Sequence, residues 1–153
     1  MSKNDNKPKE NEMRDGLFAA ALKVQQNAHA PYSNFKVGAA VLSVGGNVYS
    51  GCNVENAAYP EGLCAEASAI AAMVANGEQA IKQICIAGDG ENLVTPCGGC
   101  RQKIREFGAA DTPVFVCGPE GLRQRFTLAQ LLPHSFGPNH LFQGDSAKGE
   151  EGA

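Results

Sequence analysis

From Leu63 to Gly77 the sequence reads LCAEASAIAAMVANG, small and apolar at almost every position, with Glu66 as its only charge. A helix that is apolar nearly all round is normally buried in a core. A carboxylate placed there is costly unless something satisfies it. Glu66, two residues after Cys64, therefore needs a partner, and the rest of the chain has to supply it.

The surrounding periodicity builds a frame for this helix. Met13, Leu17, Phe18, Ala21, Leu22 and Ala28 recur at helical spacing, with Pro31 closing that segment. FKVGAAVLSV and NVYSGCNV read as two strands about a Gly45-Gly46-Asn47 turn. Asn76-Gly77 stops the alanine-rich helix, and QICIAG (83–88) suits a buried strand. PCGGCRQKIREFG opens a third helix that Gly108 ends at its C′ position, and PVFVCG (113–118) is another buried strand. LRQRF is a further, more exposed strand, followed by the short helix LAQLL. Strands and helices in this order imply an α/β domain with a mixed sheet of about five strands. The polar segments 1–11 and 143–153 are expected as unstructured tails around a single domain at 12–142.

Composition narrows the partner. Thirteen Lys and Arg against sixteen Asp and Glu give a net charge of −3, with no block of one sign. A protein that tracks nucleic acid carries a basic face or stripe, so a small, roughly neutral partner is favoured over a polyanion. The polar start MSKNDNKPKENE lacks the apolar core of a signal peptide, and no apolar run reaches membrane-spanning length. Six cysteines in such a chain read as reduced thiols or metal ligands rather than a disulfide framework. The expectation is a cytoplasmic protein.

Cys64 and Glu66 fall in the first turn of the second helix, and Pro96-Cys97-Gly98-Gly99-Cys100 opens the third. The C-x-x-C places two sulfurs within reach of one ion, and a helix N-terminus favours their thiolate form. A structural zinc site usually adds a second such pair or two histidines, whereas here a lone cysteine is accompanied by a glutamate. Three protein ligands with an open fourth position are the arrangement of catalytic zinc, where bound water ionises near neutral pH. A carboxylate beside that water can shuttle its proton. Other readings cover single pieces: Glu66 complementing the helix dipole, Cys64 as a small core residue, Cys97 and Cys100 as a redox pair, or Cys52 or Cys85 as a fourth ligand. The zinc–water site accounts for Cys64, Glu66, Cys97 and Cys100 together.

C-A-E followed by P-C-G-G-C resembles the signature of zinc-dependent nucleoside and nucleobase deaminases in its three-cysteine form. YSNFKVGAAV (32–41), GCNVENAAYP (51–60), CGGCRQ (97–102) and LLPHSF (131–136) are similar to blocks of the small, homotetrameric, zinc-dependent cytidine deaminases. These blocks span most of residues 13–137. The resemblance implies one three-layer domain with helices on both faces of the sheet. It also implies hydrolysis of cytidine and 2′-deoxycytidine to uridine and 2′-deoxyuridine plus ammonia, as in pyrimidine salvage.

Carried over residue by residue, Cys64, Cys97 and Cys100 would bind one Zn²⁺ per subunit. Zinc-bound hydroxide would attack C4, while Glu66 passes protons to N3 and to the leaving amino group. Asn53 and Glu55 would contact the ribose 3′-hydroxyl, Phe35 would line the nucleoside pocket, and the backbone at Ala65 and Cys97 would hold the base. Phe136 would reach into a neighbouring subunit of a homotetramer. Arg101 would donate to the cysteine sulfurs, offsetting their charge, with Gln102 in support. Some relatives carry an arginine directly after the glutamate; here that residue is Ala67, which concentrates the charge compensation on Arg101. His29, His134 and His140 match no ligand position, and Cys52, Cys85 and Cys117 sit in strand-like contexts that suit the core. The competing functions are a deaminase of blasticidin-type nucleoside antibiotics, a deaminase acting on RNA or DNA, and a non-catalytic zinc domain.

Overall fold

The computed structural model describes residues 7–142; the expected tail residues 1–6 and 143–153 lie outside that range. The elements are α1 (Lys7–Gln25), β1 (Val37–Ser43), β2 (Val48–Cys52), α2 (Ala65–Ala75), β3 (Ile81–Gly88), α3 (Gly98–Phe107), β4 (Pro113–Gly118), β5 (Gly121–Thr127) and α4 (Leu128–Leu131). The first helix thus starts at Lys7, inside the segment expected as tail. Lysine and glutamate there are good helix formers, and Pro8 falls in the first turn, where a missing N–H costs nothing. The helix also ends at Gln25, short of Ala28 and Pro31, because the following backbone turns to pair with residues 53–55. His29 N–H donates to the Asn53 carbonyl and Glu55 N–H to the His29 carbonyl.

The strands form one five-stranded sheet in the order β2-β1-β3-β4-β5. β3 and β4 are parallel and joined through α3, and the other neighbours are antiparallel. The sheet is therefore mixed, as its sequence implied. The central strands are buried on both faces, and their alternate residues divide between two cores. Ala39, Val41, Ile84, Ile86 and Val114 pack with Ala69, Ile70 and Met73 of α2 and Ile104 of α3. Ala40, Leu42, Cys85, Ala87, Phe115 and Cys117 pack with Leu17 and Ala21 of α1. The result is three layers.

Two glycines let the helices approach the sheet. A Cβ at Gly38 would overlap the Ala21 carbonyl of α1, and one at Gly51 would overlap the backbone of Ala69 in α2. The second contact seats the alanine-rich helix against β2. That helix is not buried all round: Ala65, Glu66, Ala69, Ile70 and Met73 face the core, while Leu63 and Val74 on either side remain 54% and 38% exposed. Asn76 and Gly77, at φ +86°, terminate it. Gly108 follows α3 in an extended rather than left-handed conformation. A reciprocal capping box between Thr127 and Gln130 starts α4 directly from the end of β5.

Candidate metal centre and substrate cavity

The N-termini of α2 and α3 meet on one face of the sheet, and a cysteine caps each. Cys64 and Cys97 are both extended (φ −76°, ψ 155° and φ −64°, ψ 165°), with no side-chain capping bond. Cys100 comes from the first turn of α3. The three Sγ atoms lie within 4.8 Å of one another, the one cluster of possible metal donors among the described residues.

The spacing fits a tetrahedral thiolate site. Metal–sulfur bonds of about 2.3 Å place sulfurs about 3.8 Å apart in a tetrahedron, and Cys64 and Cys97 are 3.8 Å apart. Three thiols and a carboxylate packed so closely repel one another once ionised, and a divalent cation relieves that repulsion. Burial pushes the Cys64 thiol up, and burial beside Glu66 pushes Cys100 far up. Burial also opposes ionisation of Cys97, but bonds from the Cys100 backbone and the neighbouring thiols outweigh it and hold Cys97 below its ordinary value.

Glu66 is 5% exposed and Cys100 1% exposed. The Cys100 thiol donates to Glu66 Oε2 at 3.3 Å, which places the isolated carboxylate of the alanine-rich helix directly beside the thiol cluster. The other side of Glu66 borders a cavity of about 320 Å³, walled also by Asn53, Glu55, Cys64, Ala65 and Cys97. Val37, Val54 and Leu63, and Val94 with Thr95 just before the PCGGC motif, also line it. The last two were missed in the sequence, where only their adjacency to Pro96-Cys97 could have marked them.

Asn53 and Glu55 do reach the cavity together, but each already serves the backbone around it. Asn53 Oδ1 accepts from Val37 N–H at 2.9 Å and its Nδ2 donates to the Phe35 carbonyl at 2.8 Å. Glu55 accepts from the Ser33 hydroxyl and from the Tyr32 and Ser33 N–H groups. The Ser33 hydroxyl, followed by those two N–H groups, holds the Glu55 carboxyl below its usual range against a smaller opposing effect of burial. The Phe35 side chain does not belong to the cavity wall; the bond from Asn53 fixes its backbone instead.

Two residues bond differently from expectation. Arg101 donates to oxygens rather than sulfur: Nε to the Pro96 carbonyl at 2.7 Å, one terminal nitrogen to the Leu131 carbonyl at 2.8 Å, and the other to Thr95 Oγ1 at 3.1 Å. The planar guanidinium finds two oxygens in the segment just before α3 and one at the end of α4, so it holds the chain leading into Cys97 rather than the thiolates. Gln102 Nε2 donates to the Phe136 carbonyl at 3.0 Å. Phe136 is 59% exposed and stacks on His140 with ring centroids 5.0 Å apart, away from this chain's cavity. Cys85 and Cys117 lie in the core on the opposite face of the sheet, and Cys52 in β2 stays outside the thiol cluster. Neither Cys52 nor Cys85 supplies a fourth sulfur.

Known proteins match this architecture and its motifs. The model of the cytidine and deoxycytidylate deaminase zinc-binding region matches residues 11–116. A cytidine deaminase of Sporosarcina psychrophila is 41% identical over 125 residues, 82% of this chain and 92% of that protein. One from Halalkalibacterium halodurans is 38% identical over 80% of this chain and 93% of its own length. The crystal structure of cytidine deaminase from Burkholderia pseudomallei superposes with a TM-score of 0.76 at 38% identity, covering 80% of this chain and 98% of that one. With the fold, the zinc-binding-region model and most of its length matched, the chain belongs to the cytidine and deoxycytidylate deaminase family, among its small cytidine deaminases.

Proposed function

We propose that the chain hydrolyses cytidine and 2′-deoxycytidine to uridine and 2′-deoxyuridine, releasing ammonia, as a step of pyrimidine salvage in the cytoplasm. The observation that carries this reading is the position of Glu66, buried between the three-thiol cluster and a cavity of about 320 Å³. Cys64, Cys97 and Cys100 would hold one Zn²⁺ per subunit, and keeping those thiols reduced suits a reducing compartment. Zinc, when bound there, supplies the Lewis acidity that brings water ionisation toward neutral pH.

Glu66 takes the proton of the attacking water and delivers it to N3 of the cytosine ring, making C4 electrophilic. It then takes the proton of the new C4 hydroxyl and carries it to the amino group, so that ammonia leaves as the C4–N4 bond breaks and the C4 carbonyl forms. One carboxylate serves both transfers because N3 and the amino nitrogen are neighbours on the ring. Ala65 and Cys97, at the two helix starts, present backbone groups to the base. Asn53 and Glu55 retain free hydrogen-bonding capacity toward the cavity and orient the ribose 3′-hydroxyl, and Phe35 acts through its backbone, which Asn53 holds beside the cavity.

The assembly we assign is a homotetramer, each domain beginning with α1 at Lys7 and reaching residue 142. Exposed apolar side chains support it: Tyr59 at 77%, Phe136 at 59% and Leu63 at 54% exposure. Arg101 stabilises the site through the Thr95 hydroxyl and the Pro96 carbonyl, and Gln102 holds the segment that presents Phe136 to a neighbouring copy.

The test is the ultraviolet change on converting cytidine to uridine by zinc-loaded protein, with ammonia measured alongside. Stoichiometric uridine and ammonia are expected. Absence of turnover with both nucleosides would overturn the reading.

A further inference from the structure

Residues 89–96 run from the end of β3 to Cys97 without secondary structure of their own, yet Val94 and Thr95 within them wall the substrate cavity. Such a strap keeps one shape only if other elements hold it. Three long polar side chains do so, from three different elements. Gln25 at the end of α1, 2% exposed, donates through Nε2 to Asp89 Oδ1 and to the Lys36 carbonyl, both at 2.9 Å. Arg101 in α3 holds Thr95 and Pro96 as described. Between them, Arg123 of the edge strand β5 donates to the Gly90 carbonyl at 2.6 Å and the Asn92 carbonyl at 2.7 Å.

Arg123 is itself firmly placed. Glu120 accepts from its Nε at 2.6 Å and from a terminal nitrogen at 3.1 Å. Its side chain is only 16% exposed, and its guanidinium occupies the space where a Cβ on Gly118 would stand. Val94 fits against Gly88, where an added Cβ would come within 2.8 Å of its side chain. The strap is thus pinned on both sides of Val94.

We propose that Arg123 is a positioning residue for the substrate cavity: by fixing the Gly90 and Asn92 carbonyls it sets Val94 and Thr95 as a rigid wall against the bound nucleoside. It touches neither substrate nor thiols and acts through the strap. The inference rests on the nucleoside reading above. The Glu120–Arg123 ion pair is secondary, because the Glu120 side chain is 62% exposed and surface pairs contribute little; what matters is the pair of carbonyl bonds.

The test compares Arg123→Ala, Arg123→Lys and Glu120→Gln for cytidine turnover, zinc content and amide hydrogen exchange at residues 90–95. Arg123→Ala is expected to raise KM about tenfold, with kcat within about twofold, a split that marks lost binding geometry rather than lost chemistry. Zinc content stays unchanged, and exchange at 90–95 accelerates. Arg123→Lys, an ammonium unable to serve both carbonyls and Glu120 together, raises KM by about threefold. Glu120→Gln leaves KM at the wild-type value. An unchanged KM in Arg123→Ala, or a Glu120→Gln protein as impaired as Arg123→Ala, would overturn the proposal. Should Arg123→Ala fail to fold, an unchanged KM in Arg123→Lys does the same. If wild-type protein leaves cytidine untouched, the functional reading fails separately, and unaltered exchange at 90–95 in Arg123→Lys then rules out the strap.

Discussion

Cys64 and Cys97 approach to 3.8 Å on one face of the sheet, while Cys85 and Cys117 approach to 3.4 Å on the other. Distance alone would make the second pair the better cluster. The first pair caps two helix N-termini, has Cys100 as a third sulfur and opens onto a cavity beside Glu66. The second pair projects from neighbouring parallel strands into an apolar core under α1. There the hydrogen bond to Cys117, and then burial, hold the Cys85 thiol protonated. Helix ends, a third donor and an open side make a metal site; close sulfurs in a core are packing.

The largest effect expected from this contrast is a split between two serine substitutions. Cys100→Ser should abolish stable zinc binding and reduce deamination to background, whereas Cys117→Ser should keep both and lose about 1 kcal/mol of stability as a polar group enters an apolar site. Metal analysis and denaturant melts distinguish them; zinc loss in Cys117→Ser would erase the contrast.

Next comes Arg101→Ala, which frees Thr95, Pro96 and Leu131 without touching sulfur. Chelator competition should show zinc affinity lowered about 10- to 100-fold, the usual cost of losing a group that orients ligands. The two close glycine contacts offer a third comparison. Gly38→Ala and Gly51→Ala should each destabilise by about 1–3 kcal/mol through overpacking. Only Gly51→Ala, which displaces the helix carrying Cys64 and Glu66, should also lower kcat in the remaining folded protein.

The smallest effect lies at the cavity rim. Because the folded state depresses the Glu55 carboxyl, its contribution is present in full above the unfolded value of about 4.3 and is lost as pH falls through the folded value. Glu55→Gln should flatten that acid limb in melts recorded below about pH 5. An unchanged acid limb would mean that the Tyr32–Ser33 turn does not depend on this carboxylate.

Much of this was legible in the sequence because it is local. The apolar FKVGAAVLSV, QICIAG and PVFVCG runs marked the central strands. The Asn76-Gly77 stop and the LAQLL helix also fell where expected, and the C-A-E and P-C-G-G-C motifs located the cluster. Destinations of long side chains were not legible, since these depend on which distant oxygen the fold brings near. Arg101 faces carbonyls rather than thiolates, Gln102 meets the Phe136 carbonyl, and Glu55 closes a turn more than twenty residues upstream. The outer side of α2 shows the same limit: an alanine-rich pattern does not say that one chain alone leaves part of the helix exposed.

The most direct test of the central claim follows cytidine conversion with Glu66→Gln beside the unmodified chain, with zinc measured in both. The account predicts that the variant keeps its zinc and that kcat falls by about 10²–10⁴-fold, the range for a lost general acid–base group. A zinc-loaded Glu66→Gln protein that turns over cytidine at the wild-type rate would contradict it.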